Sequence, residues 1–238
     1  GIAPKYLAGH SLGEYSALVA AEAMTLVGAV KLVNLRGKLM QSAVPVGEGA
    51  MAAILGLADA EVIELCQKAS TLGQGSVDAA NYNAQGQVVI AGTTALVQQV
   101  MAEAKEKSGK AIALPVSVPS HCSLMKPAAE KFAEALEQVA IELPKIPVIH
   151  NVNAEFATDV AQLRQALTAQ LYQSVQWTRS MQYLQDQGIQ YVVECGPGMV
   201  LSNLAKRLPN IEKAFAIDSK ARMEDALNAI LVAEGKIA

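Results

Sequence analysis

The spacing of apolar residues changes several times along the chain, and each change predicts an element. Tyr6-Leu7-Ala8 is a short apolar run that stops at Gly9-His10-Ser11-Leu12-Gly13. From Tyr15 to Met40 apolar residues recur every three or four positions, among them Leu18, Val19, Val27, Val30, Leu32, Val33 and Leu35. That is the period of a helix, with a break into two near Thr25 or Gly28. A short strand, a glycine-flanked turn and a helix therefore open the chain. A parallel sheet needs further strands before or beside this one, so the sequence reads as cut into at its start.

From Gly47 the pattern changes. Met51 to Leu57 reads as a strand, and Asp59 to Ala69 as a helix with Asp59 as N-cap. Val77 to Tyr82 and Gln87 to Ala91 read as strands joined by the turn Asn83-Ala84-Gln85-Gly86. An amphipathic helix over Thr93 to Lys107 and a strand over Ala111 to Val118 follow. The order βαββαβ is that of a ferredoxin-like module, placed as an insert over 47–116. Beyond it, helices are expected over Met125 to Val139, Val160 to Tyr172, Thr178 to Gln187, Val200 to Arg207 and Met223 to Glu234. Pro147 to His150 is a short strand, and Tyr191 to Glu194 a buried one ending in Cys195-Gly196-Pro197-Gly198. The fold class is α/β, with 1–46 and 117–238 forming the core around the insert.

Composition narrows the functional classes. Hydrophobic residues make up 52% of the 238 positions and charged ones 17%, which excludes disorder and allows a large core. The 19 Lys and Arg against 22 Asp and Glu leave a net charge of −3, which argues against nucleic acid as a partner. Cys66, Cys122 and Cys195 are too widely spaced for a zinc framework or a disulfide scaffold, and read as reduced intracellular thiols. The longest charge-free stretch, Ala79 to Ala102, carries Asn81, Asn83 and several glutamines and cannot span a bilayer. With no signal peptide evident, a soluble cytoplasmic protein is expected, with no membrane partner, no metal and no redox cofactor.

Gly9-His10-Ser11-Leu12-Gly13 fits G-x-S-x-G between a strand and a helix, the context of a nucleophile elbow. A serine on that sharp turn is lifted clear of the sheet, and neighbouring amides at a helix N-terminus point where an oxyanion would form. The plain alternative is an ordinary glycine-rich loop. A nucleophilic serine needs a base, and the chain has only three histidines. His10 would point away from its neighbour, and His150 reads as a capped or partly exposed strand end. His121, in a loop at the junction of the insert and the next helix, is left as the favoured base, a structural histidine being the alternative. No acid between Ser11 and His121 falls at a strand end of the main sheet, so a Ser–His dyad is expected rather than a triad. Arg36 interrupts an apolar helical stretch; its fork suits a carboxylate, and a solvated face or a salt bridge is the plainer account.

Taken in order, GHSLGEYSALVAAEAM, the arginine in LVNLRGKLMQ, NYNAQGQVVIAG, PVSVPSHCSLM, QLYQSVQWTRSM and VECGPGMVLSNL resemble the malonyl-CoA:acyl carrier protein transacylases. The resemblance runs nearly the whole length. It implies a hydrolase-like α/β core plus a ferredoxin-like subdomain, with Ser11 as the acylated nucleophile and His121 as its base. It also implies that Arg36 binds the free malonyl carboxylate and that Leu12 gives an oxyanion-hole amide. The main-chain carbonyl of Gln170 would orient His121. Asn83 and Gln87 match polar positions facing the cleft, and Ser120 beside His121 joins the substrate-binding positions.

The implied reaction is ping-pong transfer of malonyl from malonyl-CoA to the phosphopantetheine thiol of acyl carrier protein, by a monomer supplying fatty acid biosynthesis. Lys105, Lys107, Lys110, Lys126 and Lys131 could dock an acidic carrier, or be no more than solvated helix faces. Members of the family begin with a strand and a GQGSQ-like loop whose glutamine lines the oxyanion site. No such segment precedes Gly1, so a fragment, one piece of a nicked protein and an incomplete sequence are all open. The rival functions are a serine thioesterase or esterase of similar fold, and an inactive truncated chain.

Overall fold

The computed structural model describes residues 2–116, 118–233 and 235–236. Gly1, Ser117, Glu234, Ile237 and Ala238 lie outside the described residues, and with them one residue of the expected strand over 111–118 and the last of the expected helix over 223–234. The elements in chain order are β1 (Leu7–Ala8), α1 (Gly13–Ala20), α2 (Leu26–Ala43), β2 (Gly49–Leu55), α3 (Asp59–Leu72), β3 (Val77–Ala84), β4 (Gln87–Thr93), α4 (Thr94–Glu106) and β5 (Lys110–Ala113). They continue with α5 (Lys126–Glu137), β6 (Val148–Ile149), α6 (Val160–Ala169), α7 (Trp177–Asp186), β7 (Tyr191–Glu194), α8 (Val200–Ala205), β8 (Lys213–Ala216) and α9 (Lys220–Ala233). The class is α/β with small sheets. The chain divides into two units, Tyr6–Ser180, and Gly1–Lys5 with Met181–Ala238.

In the first unit β1 and β6 form a parallel pair, Leu7 opposite Val148 and Ala8 opposite Ile149. Helices α1, α2, α5 and α6 share a core built on Tyr15, Leu18, Leu32, Phe132, Leu136 and Leu163. The helical break expected near Thr25 or Gly28 falls at Thr25, whose side chain accepts the Gly28 amide at 3.1 Å and caps α2.

The second sheet of this unit is antiparallel, ordered β3-β4-β2-β5. Strand β4 is buried on both faces because its alternate residues meet different layers. Val88 and Ile90 pack with Val62, Leu65 and Val97 of α3 and α4, whereas Val89 and Ala91 pack with Met51 and Cys122. The free edge of β3 takes the segment after α6: Tyr82 N–H donates to Val175 O and Val175 N–H to Ala80 O, both at 2.9 Å.

Three local expectations change. Asp59 is the first helical residue rather than the cap; Ala58 precedes the helix, and its amide donates to Glu61 Oε2 at 3.0 Å. Asn83 lies in β3 and the turn is Gln85-Gly86 alone, because β3 carries register shifts at Ala79/Asn81 and Tyr82/Ala84 that lengthen it. The strand expected over 111–118 stops at Ala113: Leu114 N–H still reaches Met51 O at 2.9 Å, and Pro115 then has no N–H to pair.

In the other unit β7 and β8 pair in parallel, and β8 had no counterpart among the expected elements. The Glu194 carboxylate accepts from Leu201 N–H, Ser202 N–H and Ser202 Oγ at 2.7–3.1 Å and holds the start of α8. β7 is half-buried rather than buried, with Val193 37% exposed, since a two-stranded ribbon cannot cover both faces of either strand. Among the described residues no helix is long and apolar enough to cross a membrane.

Ile90 on central β4 and Ile112 on edge β5 test this layering. Ile90→Ala should destabilise by roughly 2–5 kcal/mol and Ile112→Ala by less than about 1 kcal/mol. Urea midpoints at constant m-value read the difference.

Candidate active site

The turn from β1 to α1 is set by one glycine. A Cβ on Gly9 would lie 2.0 Å from the Gly13 carbonyl and 2.4 Å from the Glu14 amide, so no side chain fits there. A Cβ on Gly13 would meet nothing within 4 Å, so only the first of the two flanking glycines is sterically required. Ser11 at the apex has φ 52°, a left-handed conformation costing a non-glycine residue about 1–2 kcal/mol. Asn151, buried just past β6, holds the turn from both sides: its Oδ1 accepts the Ser11 amide at 2.6 Å and its Nδ2 donates to Gly9 O at 2.7 Å.

His121 comes from the loop before α5 and is likewise left-handed, at φ 62°. Its amide donates to Leu171 O at 3.0 Å. The loop beyond it is pinned to β3, where Asp78 Oδ2 accepts the Ser123 amide at 2.8 Å and Ser123 Oγ at 2.7 Å. The imidazole lies between two partners. Nδ1 is 2.6 Å from Gln170 O, and Nε2 is 2.7 Å from Ser11 Oγ. A carbonyl oxygen can only accept, so Nδ1 carries the proton and Nε2 is left to accept from the serine hydroxyl. Burial first, and then the Arg36 charge, push His121 down to about 3, against which the Gln170 hydrogen bond acts. The ring is therefore neutral at physiological pH.

Arg36, on the face of α2 that carries Leu32 and Met40, is only 6% exposed. Among the described residues neither a solvated face nor a salt bridge accounts for it: its Nη2 donates to Ser11 Oγ and to Gln170 Oε1, both at 3.1 Å. The guanidinium carbon also stands 5.8 Å from the Tyr15 ring centroid. A groove of about 500 Å³ opens beside it, with Arg36, Lys38, Met40, Gln41, Val118 and Ser120 among the residues that line it.

Beneath these groups lies Glu14, 0% exposed in the first turn of α1. Its carboxylate accepts from His150 Nδ1 at 2.6 Å, the Asn151 amide at 3.2 Å and Gln170 Nε2 at 2.7 Å. Gln170 Nε2 gives its second N–H to Ser11 O at 3.0 Å. His150, expected as a capped or partly exposed strand end, is instead buried against this carboxylate. The only hint of Glu14 in the sequence was an acid at the head of an otherwise apolar helix, and Asn151 gave none.

Ser11, His121, Arg36 and Gln170 thus meet at hydrogen-bond distance. Leu12 is the N-cap residue of α1 and is 54% exposed, and its amide donates to no acceptor among the described residues. His10 points away from Ser11, as expected, with Nε2 2.8 Å from Asn83 Oδ1 and the ring tilted on Trp177. Asn83 therefore borders the elbow from the antiparallel sheet. Gln87 opens β4 in register with Leu55 and Ala84. Ser120 adjoins His121 and lines the groove beside Arg36. Among the described residues no cluster of three or more His, Cys, Asp or Glu could hold a metal ion, and all three cysteines are free thiols.

The profile of the acyl transferase domain matches residues 1–217. The malonyl CoA-acyl carrier protein transacylase of Escherichia coli strain K12 is 48% identical over a match covering 95% of this chain and 73% of that protein. The chain belongs to the malonyl CoA-acyl carrier protein transacylases of the acyl transferase family. The FabD crystal structure from Acinetobacter baumannii superposes with a TM-score of 0.97 at 85% identity, covering 98% of this chain and 74% of that one. A type II PKS acyl-carrier protein in complex with its malonyl-transacylase gives 0.93 at 43% identity, covering 96% and 74%. Membership in this transacylase family makes the protein an acyltransferase enzyme.

The two glycines of the transacylase elbow should separate cleanly on substitution. Gly9→Ala should prevent accumulation of folded protein, whereas Gly13→Ala, at a helix start with open space, should match or exceed wild-type stability by up to about 1 kcal/mol. Thermal melting of both variants checks this.

Proposed function

We propose that this protein transfers a malonyl group from malonyl-CoA to the phosphopantetheine thiol of acyl carrier protein through a malonyl ester of Ser11, as a cytoplasmic monomer supplying fatty acid biosynthesis. The observation that carries the reading is the position of Ser11 Oγ, 2.7 Å from His121 Nε2 and 3.1 Å from Arg36 Nη2. A nucleophile is thereby set between a neutral base and a buried cation that has no carboxylate on it among the described residues. The names of the relatives and the carrier-protein complex of a 43% identical neighbour support the choice of donor and acceptor.

In the first half-reaction Ser11 Oγ attacks the thioester carbonyl as its proton passes to His121 Nε2. The resulting oxyanion is met by the Leu12 amide at the head of α1. Collapse of the tetrahedral species breaks the C–S bond, and the departing CoA sulfur takes the proton from His121. In the second, the carrier thiol gives its proton to His121 and attacks the ester carbonyl, and Ser11 leaves with that proton returned. Gln170 O fixes the tautomer that both halves need, in place of the acid of a triad. Arg36 holds the malonyl carboxylate in the groove it shares with Ser120, while Asn83 and Gln87 face the cleft from the other sheet. Lys105, Lys107, Lys110, Lys126 and Lys131 are all exposed and are offered to an acidic carrier.

The architecture belongs to the same reading. The strand order β3-β4-β2-β5 is second, third, first and fourth in sequence, the antiparallel order of a ferredoxin-like module over 47–116, set into a hydrolase-like core of 1–46 and 117–238.

Intact and peptide mass spectrometry after brief exposure to malonyl-CoA should show one malonyl adduct on the Ser11 peptide. It should be absent in Ser11→Ala and discharged by holo carrier protein; discharge to water at the same rate would favour a thioesterase. Arg36→Ala removes charge-assisted hydrogen bonds, so malonyl acylation should fall about 10–100-fold relative to acetyl acylation. Equal loss for both donors would sink the carboxylate clamp.

The pH dependence follows from His121. The base form is lost only as pH falls through its folded value of about 3, so kcat/KM for acetyl-CoA, which carries no carboxyl group, should stay flat from pH 8 to below 5. In Arg36→Ala the acid limb should move up, because the second cause of the depression is gone. Half-loss near pH 6.5 in the wild type would show an ordinary histidine.

A further inference from the structure

Gln170 presents two different ends to two different kinds of group. At one end its Oε1 meets only a donor, Arg36 Nη2 at 3.1 Å. At the other its Nε2 meets only acceptors, Ser11 O at 3.0 Å and Glu14 Oε2 at 2.7 Å. An amide can turn end for end at little steric cost, and turned over it would set its NH2 against the guanidinium of Arg36. What prevents this is the acceptor pair, of which Glu14 is the charged and therefore stronger member.

Glu14 is itself fixed from three sides. His150 Nδ1 and the Asn151 amide occupy it along with Gln170, and it lies wholly out of solvent. No salt bridge joins it to Arg36 among the described residues. The two buried charges are coupled through one amide, which anchors the guanidinium without placing an anion on it. A carboxylate in direct contact would satisfy the cation and compete with an incoming one; a bridging amide does not.

We propose that Glu14 is a positioning residue for specificity: through the Gln170 amide it aims the Arg36 guanidinium and leaves it open to the carboxylate of the acyl donor. The proposal rests on the reading of Arg36 as the carboxylate clamp. Glu14 touches neither donor nor acceptor, so its effect is on the choice between acyl groups as well as on rate.

The test is single-turnover acylation of Ser11 by malonyl-CoA and acetyl-CoA, followed by mass spectrometry, in wild type, Glu14→Met, Glu14→Gln and Arg36→Ala. Glu14→Met removes every acceptor, and the malonyl-to-acetyl ratio should fall about ten-fold, with the loss in KM for malonyl-CoA. Glu14→Gln should restore most of the ratio. Its amide can face oxygen to Gln170 and nitrogen to His150 Nδ1, whose ring can change tautomer because its Nε2 has no partner among the described residues. If Glu14→Met does not fold, Gln170→Met reads the same bridge while keeping the main-chain carbonyl that holds His121, and the same fall in ratio is expected. Equal loss for both donors in the folded variants would overturn the proposal and leave Glu14 as part of the frame. If Arg36→Ala has the wild-type ratio, the clamp reading itself fails; if only the Glu14 and Gln170 variants keep it, the positioning role alone falls.

Discussion

The site depends on holding two residues, 110 apart in sequence, in a backbone conformation that neither prefers. Ser11 and His121 are both left-handed, and each would relax to an ordinary conformation if its neighbours released it. One short stretch after α6 holds both. Gln170 reaches the Ser11 carbonyl with its side chain and the His121 ring with its main chain, and Leu171 O takes the His121 amide. The positions of Ser11 and His121 are thus not independent facts. They are referred to the same peptide, which explains how a gap of 2.7 Å between them can be maintained without an acid behind the histidine.

Burial gives this arrangement its chemistry and also its cost. Taking Arg36 and Glu14 out of water is unfavourable by several kcal/mol each unless hydrogen bonds replace the solvent. The replacements are an amide, a hydroxyl, an imidazole and a backbone N–H. The same exclusion of water, aided by the Arg36 charge, keeps His121 uncharged. A carboxylate arriving at Arg36 would offset that charge and raise the basicity of His121.

How much of this could be read from the sequence depended on distance along the chain. The elbow was legible because its strand, turn and helix lie within fifteen residues of one another, and G-x-S-x-G states its own steric problem. The alternation of strand and helix periods over 49–113 was legible for the same reason. Arg36 stood out as a charge on an apolar stripe, but its partners did not. His150 and Asn151 carry no local signature and Glu14 only a faint one, since the contacts that join Glu14, His150, Asn151 and Gly9 close over 136 to 142 residues. Asn83 was misplaced in a turn because the register shifts of β3 depend on the strand beside it. β8 was missed because Lys213–Ala216 is short and begins with a charge, whereas its pairing with β7 is a tertiary fact.

The antiparallel sheet bears on the site through its edge and through one face. On the edge, β3 receives Val175 by two backbone hydrogen bonds, and Ser174 Oγ donates to Ala79 O at 2.6 Å, which fixes the segment leading away from Gln170. On the face, Met51, Val89 and Ala91 pack on Cys122, the neighbour of His121, while Asp78 ties down Ser123. Asn83 then reaches His10 beside Ser11. The antiparallel sheet therefore braces the His121 loop, the Gln170 segment and the elbow at once. A shift of its register by one residue would exchange the two faces of β4 and β3, withdrawing the apolar seat of Cys122 and the anchor at Asp78 together. Register in this sheet is for that reason a constraint on the position of His121, and its cross-strand pairs are part of what holds that imidazole against Ser11.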